Sequence, residues 1–295
     1  MVYLIDASVY IFRAWFSMPP DLRDAEGNPT HAVYGFARFV GDLIERRQPR
    51  YLAVAFDESH GHGHRHALFP AYKANREPAP PELKRQFALC REFCRHLGVS
   101  EYASCEFEAD DLIGTLATRA RAEGLRVTVV TRDKDLSQLV GPGDCFWDYS
   151  DAAEYAYEEI AGRFGVAPER MADYLALTGD AVDNIPGVPG VGPKTATALM
   201  SRYASLDELY NDLDAVAYLP LRGASRLPER LRLHREAAFL ARSLTRIHCD
   251  APMQATRGDL KRRDPDLTAL GEFCQRHGFG AMLSRQAERI ARLAA

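Results

Sequence analysis

The chain has 295 residues, of which 46% are hydrophobic and 26% charged, an ordinary composition for a globular protein with about two domains. No apolar run approaches the roughly 18 residues that a membrane span needs, and the acidic sixth residue comes too early for a secretory signal peptide. Six cysteines without a C-x-x-C pair argue against a disulfide framework and against a structural zinc site. We therefore expect a soluble, cytoplasmic protein without a membrane partner.

The net charge of −4 is unevenly distributed along the chain. From Arg222 to the last residue there are fifteen Lys and Arg against eight Asp and Glu, so the rest of the chain is strongly acidic. This asymmetry indicates an acidic site in one part and a polyanion-binding surface in another, although a basic helix face is often only solvated.

The first half alternates predicted strands with predicted helices. The runs VYLID (2–6), YLAVAFD (51–57) and RVTVVTRD (126–133) are almost continuously apolar, as in strands that helices cover on both faces. Residues 30–47 and 106–123 have helical spacing. This order predicts an α/β domain over residues 1–160, built on a mostly parallel sheet with helices on both faces.

The stretch after the second strand interrupts this alternation. Residues 58–81 are rich in His, Gly and Pro, and a helix is predicted from Glu82. The length favours a functional loop or arch at about 60–90 over a plain connection. Its alternating histidines, at positions 60, 62, 64 and 66, are more typical of a solvated loop than of a metal tract.

No strand is predicted after about residue 158. Short helices separated by Gly and Pro predict a helical domain over residues 161–257, and residues 258–295 predict a basic helical tail.

Acidic residues end each of the three predicted strands: Asp6, Asp57 and Asp133. One such residue is a common helix N-cap, but the carboxyl edge of a parallel sheet is where ligands bind. Three together therefore predict a site.

More acids fall in three short motifs, E-F-E-A-D-D, T-R-D-K-D and T-G-D-A-V-D-N. The nine candidate metal ligands are Asp6, Asp57, Glu108, Asp110, Asp111, Asp133, Asp135, Asp180 and Asp183. Oxygen ligands without His or Cys favour Mg²⁺ or Mn²⁺ over zinc, and two such ions about 4 Å apart are a common arrangement for phosphodiester hydrolysis. The alternative is helix capping together with solvated acids.

Residues 185–200, IPGVPGVGPKTATALM, predict a helix-hairpin-helix whose second helix opens at Pro193. Glycines expose backbone N–H groups at a helix N-terminus, and a neighbouring lysine adds positive charge, so the turn suits phosphate. Phosphate contacts carry no base information, which predicts binding to duplex without sequence preference. The alternative is a tight turn in a helical bundle. The candidate DNA contacts here are Gly187, Gly190, Gly192, Lys194 and Thr195.

The segment FPAYKANR (69–76) combines an aromatic side chain with two cations. Tyr72 suits stacking on a base, while Lys73 and Arg76 suit holding a phosphate near the metals. Taken alone, the segment is equally consistent with an exposed basic loop.

Six motifs in order, LIDAS, AFD, FPAYKANR, EADD, TRDKD and TGDAVDNIPGVPGVGPKTA, resemble those of the 5′ nuclease family from about Val2 to His248. The family includes the 5′→3′ exonuclease domain of bacterial DNA polymerase I, flap endonucleases and stand-alone exonucleases of the exonuclease IX type. The resemblance implies a PIN-like nuclease domain, a helical arch that threads a 5′ end, and a helix–three-turn–helix that grips duplex. It also implies a metal-dependent 5′→3′ exonuclease and 5′-flap endonuclease in DNA repair or replication.

The same resemblance implies roles for single residues. Asp6, Asp57, Glu108 and Asp110 would hold a first metal; Asp110, Asp133 and Asp135 a second, with Asp180 and Asp183 nearby and Asp111 completing the cluster. Lys73 and Arg76 would polarise the scissile phosphate, Tyr72 would stack on a base, and Arg13 and Arg65 would contact phosphate. A K⁺ ion would be held by backbone carbonyls near Leu177, Thr178, Pro186, Val188 and Val191.

Two features depart from the family pattern. Arg132 stands where a small residue is usual, so a cation lies beside the second metal group and either alters metal affinity or contacts substrate. No polymerase follows, so we expect a stand-alone, monomeric nuclease. The alternatives are a non-catalytic, structure-specific DNA-binding protein and a PIN-type ribonuclease, which would not need the duplex-gripping hairpin.

Overall fold

A computed structural model describes residues 1–58, 63–150 and 153–294. The strands are β1 (Val2–Asp6), β2 (Tyr51–Asp57), β3 (Ser100–Ser104), β4 (Val127–Val130), β5 (Cys145–Asp148) and β6 (Ala153–Ala156). The first seven helices are α1 (Ala7–Ser17), α2 (His31–Arg47), α3 (His64–Leu68), α4 (Pro81–His96), α5 (Ala109–Ala122), α6 (Tyr157–Phe164) and α7 (Met171–Thr178). They are followed by α8 (Pro193–Arg202), α9 (Leu206–Asn211), α10 (Leu213–Val216), α11 (Leu227–Leu233), α12 (Arg235–Thr245), α13 (Leu267–Arg276) and α14 (Ala281–Ala294). Short 3-10 helices cover Lys134–Leu139, Pro168–Arg170 and Ala224–Arg226. Within these ranges, no helix is both long and apolar enough to cross a membrane.

The strands form one six-stranded sheet in the order β3-β2-β1-β4-β5-β6. All neighbours are parallel except β5 and β6, which are antiparallel. The predicted strands 2–6 and 51–57 are confirmed, whereas the third ends at Val130 instead of residue 133. The strands β3, β5 and β6 were not predicted, because they are only four or five residues long and carry no uninterrupted apolar run.

Helices cover both faces of the sheet, as predicted. On one face, α1, α2 and α4 bury a large aromatic and aliphatic core that includes Phe36 and Phe56. On the other face, α5 packs with the chain around Ile247 and Leu260. The α/β fold class is therefore confirmed.

The helical part of the chain has its own core, to which α7, α8 and α12 contribute Leu175, Leu199 and Leu244. The chain between α7 and α8 folds into the predicted hairpin. The Val188 amide donates to the Leu177 carbonyl at 2.9 Å, and a Cβ at Gly179 would lie 2.5 Å from the Gly187 nitrogen. Both glycines are therefore required by this close backbone approach.

The predicted tail does not form a separate body. Helices α13 and α14 pack on α4 and α2, and they bury Phe273, Phe279 and Ile290 in the core of the α/β domain. Basic side chains remain on the outer face, where Arg289 pairs with Glu45 at 2.5 Å. Residues 258–294 therefore complete the α/β domain.

Truncating Phe273 tests this integration. We expect Phe273→Ala to lower the free energy of unfolding by about 3–5 kcal/mol, because the ring is fully buried. Urea unfolding of the full chain measures the loss. The neighbouring exposed Glu272→Ala should change it by less than about 0.5 kcal/mol. Equal stability of both variants would show that the tail is not part of the core.

Candidate metal centre and nucleic-acid interface

A cleft at the carboxyl edge of the sheet collects acidic side chains from distant parts of the chain. The cavity has a volume of about 200 Å³ and is also lined by Ser8, Lys73 and Arg76. Seven of the nine predicted ligands line it: Asp6, Asp57, Glu108, Asp110, Asp133, Asp135 and Asp183. Parallel strands bring their carboxyl ends to one edge, which places the first two acids side by side.

Hydrogen bonds orient the acids that end β1 and β2. Asp6 caps α1, accepting from the Ser8 amide at 3.1 Å, and its other oxygen accepts from the Thr131 hydroxyl at 2.9 Å. Asp57 accepts from the Ser8 hydroxyl at 2.7 Å and from the Ala109 amide at 2.8 Å. The sheet edge and the N-terminus of α5 are thereby held together around the cleft.

Asp133 does not end a strand, which corrects the sequence prediction. The chain leaves β4 at Val130 and turns at Thr131, whose hydroxyl accepts from the Asp133 amide at 3.0 Å. Asp133 then caps the following 3-10 helix by accepting from the Asp135 amide at 2.9 Å. This turn directs both carboxylates to the cleft. The Oδ1 atom of Asp135 is buried without a hydrogen-bond partner in the described chain.

The cleft holds more negative charge than its cations neutralise. Burial, with the charges of Asp57 and Asp133, raises the pKa of Asp6 to about 7. Burial and Asp133 likewise raise the pKa of Asp135 to about 7. The pKa of Asp110 lies well above its ordinary value, first because of burial and then because of the neighbouring carboxylates. Crowded carboxylates of this kind favour the ionised state only when further cations are present.

The residues present fit divalent cations. The candidate ligand atoms are hard oxygen atoms, one of which is buried without a hydrogen-bond partner. The raised pKa values of the carboxyl groups reflect a repulsion that a cation would relieve. Across the described ranges, no three His, Cys, Asp or Glu side chains already converge enough to hold an ion. The carboxylates of Asp57 and Glu108 accept hydrogen bonds from protein donors.

Lys73 and Arg76 lie in the cleft, as predicted. The Lys73 ammonium is 2.7 Å from Glu108 Oε1 and 3.9 Å from Asp183 Oδ2, and Arg76 pairs with Asp183. Burial acts to raise the pKa of Glu108, but the charges of Lys73 and Arg65 outweigh it and hold that pKa below its ordinary value.

Tyr72 is not available for base stacking, which corrects the sequence prediction. Its side chain is only 3% exposed, packs in the core of the helical part and donates its hydroxyl hydrogen to Glu108 at 3.1 Å. Tyr72 therefore positions Glu108 and presents no face to a base.

Arg65 and Asp111 are structural, a second correction. Arg65 forms a bidentate pair with Asp111 at 2.7 and 2.8 Å, and both residues are almost fully buried. The remaining Arg65 donors reach Glu108 and the carbonyls of Leu244 and Arg246. Asp111 also accepts from the amides of Glu108 and His248. Asp111 lies outside the cavity lining, whereas Arg65 lines the cavity with its N–H donors directed to these internal partners.

Three further candidates lie outside the cavity lining. Asp180 accepts from the Val182 amide at 2.8 Å and shapes the turn that carries Asp183. Arg13 is exposed and donates to the Ser150 hydroxyl. Arg132, expected beside the second metal group, pairs at 3.3 Å with Asp148 at the end of β5.

Residues 64–76, within the arch predicted at about 60–90, bridge the two halves of the molecule. Asn75 donates to the Ala181 carbonyl at 2.9 Å, and Asn184 donates to the Ala71 carbonyl at 2.7 Å. The Lys73 amide donates to the Asp183 carbonyl at 2.9 Å. Residues from 81 onward belong to α4 in the core, so the arch is shorter than predicted. The predicted histidine loop includes positions 60 and 62, which lie outside the described residues.

The hairpin presents its candidate DNA contacts at the surface. Gly190, Gly192 and Lys194 are exposed, Gly187 and Thr195 are partly exposed, and the α8 N-terminus lacks a side-chain cap. Of the carbonyls predicted to hold K⁺, those of Leu177 and Val188 each accept one backbone hydrogen bond. The remaining predicted carbonyls are those of Thr178, Pro186 and Val191.

Phe12 and Ser8 are among the residues of the cleft that were missed from sequence. Phe12 lines the cavity with its ring 39% exposed and edge-on to Phe87, and Ser8 donates to Asp57. Helical spacing from Asp6, which caps α1, was the available signal, because α1 runs directly along the cleft.

Comparisons with known proteins agree with this arrangement. Residues 1–165 match the family of the 5′-3′ exonuclease N-terminal resolvase-like domain, and residues 166–268 match the 5′-3′ exonuclease C-terminal SAM fold. The chain is 36% identical over 286 residues to DNA polymerase I of Bacillus caldotenax, covering 96% of this chain and 32% of that protein. It therefore spans about a third of the length of the polymerases it matches.

Two further proteins match over nearly their whole length. A 5′-3′ exonuclease of Aquifex aeolicus is 32% identical over 293 residues, which cover 99% of this chain and 97% of that one. The solved structure of bacteriophage T5 flap endonuclease, a pseudo-enzyme–product complex with DNA and metal ions, superposes with a TM-score of 0.64. It shares 18% identity and covers 99% of this chain and 98% of its own, which supports the fold.

Neutralising Asp110 tests the origin of the raised pKa values. We expect Asp110→Asn to raise the Tm in EDTA, because it removes a half-buried carboxylate whose charge is repelled by the neighbouring acids. It should also abolish the stabilisation that Mn²⁺ gives the unmodified chain, about 3 kcal/mol at 100 times the Kd. Differential scanning calorimetry measures both effects.

The matched control is Asp250→Asn, whose side chain is 93% exposed and lies outside the cleft lining. It should leave both the Tm in EDTA and the response to Mn²⁺ unchanged. A fall in Tm for Asp110→Asn, or a full response to Mn²⁺, would contradict a repulsive metal cluster.

Proposed function

This chain belongs to the 5′-3′ exonuclease family, and from that premise we propose that it is a metal-dependent 5′→3′ exonuclease and 5′-flap endonuclease acting on DNA. The observation that carries the proposal is the cleft where seven carboxylates from separate elements meet Lys73 and Arg76. Such a set suits hydrolysis of a phosphodiester, because acids hold cations and the two basic side chains attract the phosphate.

The acidic and the basic residues of the cleft have different proposed roles. Asp6, Asp57 and Asp110, with the other acids of the cleft, bind divalent cations, which we infer to be Mg²⁺ or Mn²⁺. When bound, such ions lower the pKa of a water and stabilise the leaving oxygen. Lys73 and Arg76, freed from Glu108 and Asp183, neutralise the oxygens of the scissile phosphate.

The hairpin would bind the DNA duplex at a place separate from the cleft. Exposed backbone N–H groups at the α8 N-terminus and Lys194 suit a phosphate of the duplex, without reading a base. A K⁺ ion on the hairpin carbonyls would add positive charge there. The T5 flap endonuclease of the same fold, solved with DNA and metal ions, supports a branched duplex as substrate, and we infer that a monomer suffices.

A cleavage assay on a labelled 5′-flap duplex with Mg²⁺ tests the proposal. The unmodified chain should release the flap, and Asp110→Asn should lower the rate by at least about 100-fold while duplex affinity is retained. Binding without any cleavage would favour the non-catalytic DNA-binding alternative. Preferred cleavage of an RNA flap would favour the ribonuclease alternative.

Phe12 is the exposed aromatic ring of the cleft, so we propose that it stacks on the base beside the scissile phosphate. Phe12→Ala should reduce cleavage of subsaturating flap substrate by about tenfold, within the range for losing one stacked base. Phe16→Ala, one turn further along α1 and 80% exposed, is the control and should cleave normally. Equal effects of the two variants would remove the assignment.

A further inference from the structure

Arg230, on helix α11, lies directly over the turn of the hairpin. A Cβ atom built on Gly190 would lie 2.3 Å from Arg230 Nη1 and 2.9 Å from its Cζ, so the guanidinium occupies the space that a side chain would fill. Nη1 also lies 3.5 Å from the Gly190 carbonyl oxygen. Gly190 is favoured by its φ of +78°, and the arginine packs against the space left by its missing side chain.

This guanidinium has no acidic partner among the described residues. The only hydrogen bond that the Arg230 side chain makes there is the long one to Gly190, although a guanidinium carries five N–H donors. Its neighbour Arg232 pairs with Asp214, and Arg242 on the next helix pairs with Asp207. The charge of Arg230 therefore remains available beside the hairpin.

The position of Arg230 is set by the fold. Leu227 and Leu231, on the same short helix, are buried in the core of the helical part, and this anchors the backbone that carries the arginine. The side chain is only partly exposed, so it is held against the turn instead of extending into solvent. Little conformational entropy remains to be lost when an anion binds.

We propose that Arg230 contributes a DNA phosphate contact that extends the hairpin beyond its backbone amides and Lys194. The ligand is a backbone phosphate of duplex DNA, recognised by charge and by the fork of N–H donors. The inference rests on the proposed function, because it assumes that the hairpin grips DNA. It adds a residue that lies forty positions after Gly190.

The test compares variants of the full chain by fluorescence anisotropy on a labelled duplex over a range of KCl concentrations. Arg230→Gln keeps a planar side chain over Gly190 but removes the charge. It should weaken binding about tenfold and reduce the slope of log affinity against log salt by about 0.9, as expected for one lost phosphate contact. Arg230→Lys should retain the slope. Arg232→Gln, two residues along α11, is the matched control and should bind like the unmodified chain.

A further variant, Lys194→Gln, distinguishes a failure of the Arg230 contact from a failure of the proposed function. If Lys194→Gln weakens binding but Arg230→Gln leaves affinity and slope unchanged, Arg230 is not a phosphate contact and the proposed function stands. If the unmodified chain binds no duplex, the proposed function itself fails. An equal loss for Arg230→Gln and Arg232→Gln would indicate general electrostatics and would also overturn the inference.

Discussion

Carboxylates repel one another in one small cleft, and this repulsion determines which donors and cations the surrounding structure must supply. Seven acidic side chains line a cavity of about 200 Å³, and three basic side chains of the same lining, Arg65, Lys73 and Arg76, oppose them. The pKa values of Asp6, Asp110 and Asp135 are raised because burial and neighbouring charge both penalise ionisation. Such an arrangement lowers stability unless cations bind, so its retention in the fold points to function.

The surrounding structure holds these acids together by satisfying as many oxygens as possible with fixed donors. Ser8 is shared between Asp6 and Asp57, and Thr131 links Asp6 to the turn that carries Asp133. The cleft is therefore pre-organised by β1, α1 and the loop after β4. Cation binding would exchange some of these donors, and the freed basic side chains would then face substrate.

A buried ion pair joins the two halves of the molecule behind the cleft. Arg65 contacts Asp111 at the start of α5 and the backbone carbonyls at the end of α12, while Asp111 accepts from the His248 amide. Removing one partner of such a pair is strongly destabilising, since it leaves a buried charge uncompensated. The pair therefore fixes how the hairpin-bearing helices sit against the sheet, and so where a duplex bound as proposed would meet the acids.

Local patterns in the sequence were sufficient for the α/β class, the hairpin and most of the acid cluster. Apolar runs ending in Asp6 and Asp57 identify strands whose carboxyl ends must share an edge, and the Gly-x-Gly-Pro-Lys stretch supplies the glycine at positive φ and the helix-opening proline that the observed turn needs. Only the tertiary structure decided which polar residues face the cleft. Asp110 and Asp111 are adjacent in one helical turn, yet one faces the cavity and the other is buried against Arg65. Tertiary packing likewise buries Tyr72 and leaves Phe12 exposed. Burial depends on what packs from distant positions, such as α12 and the tail helices, and no local spacing encodes that packing.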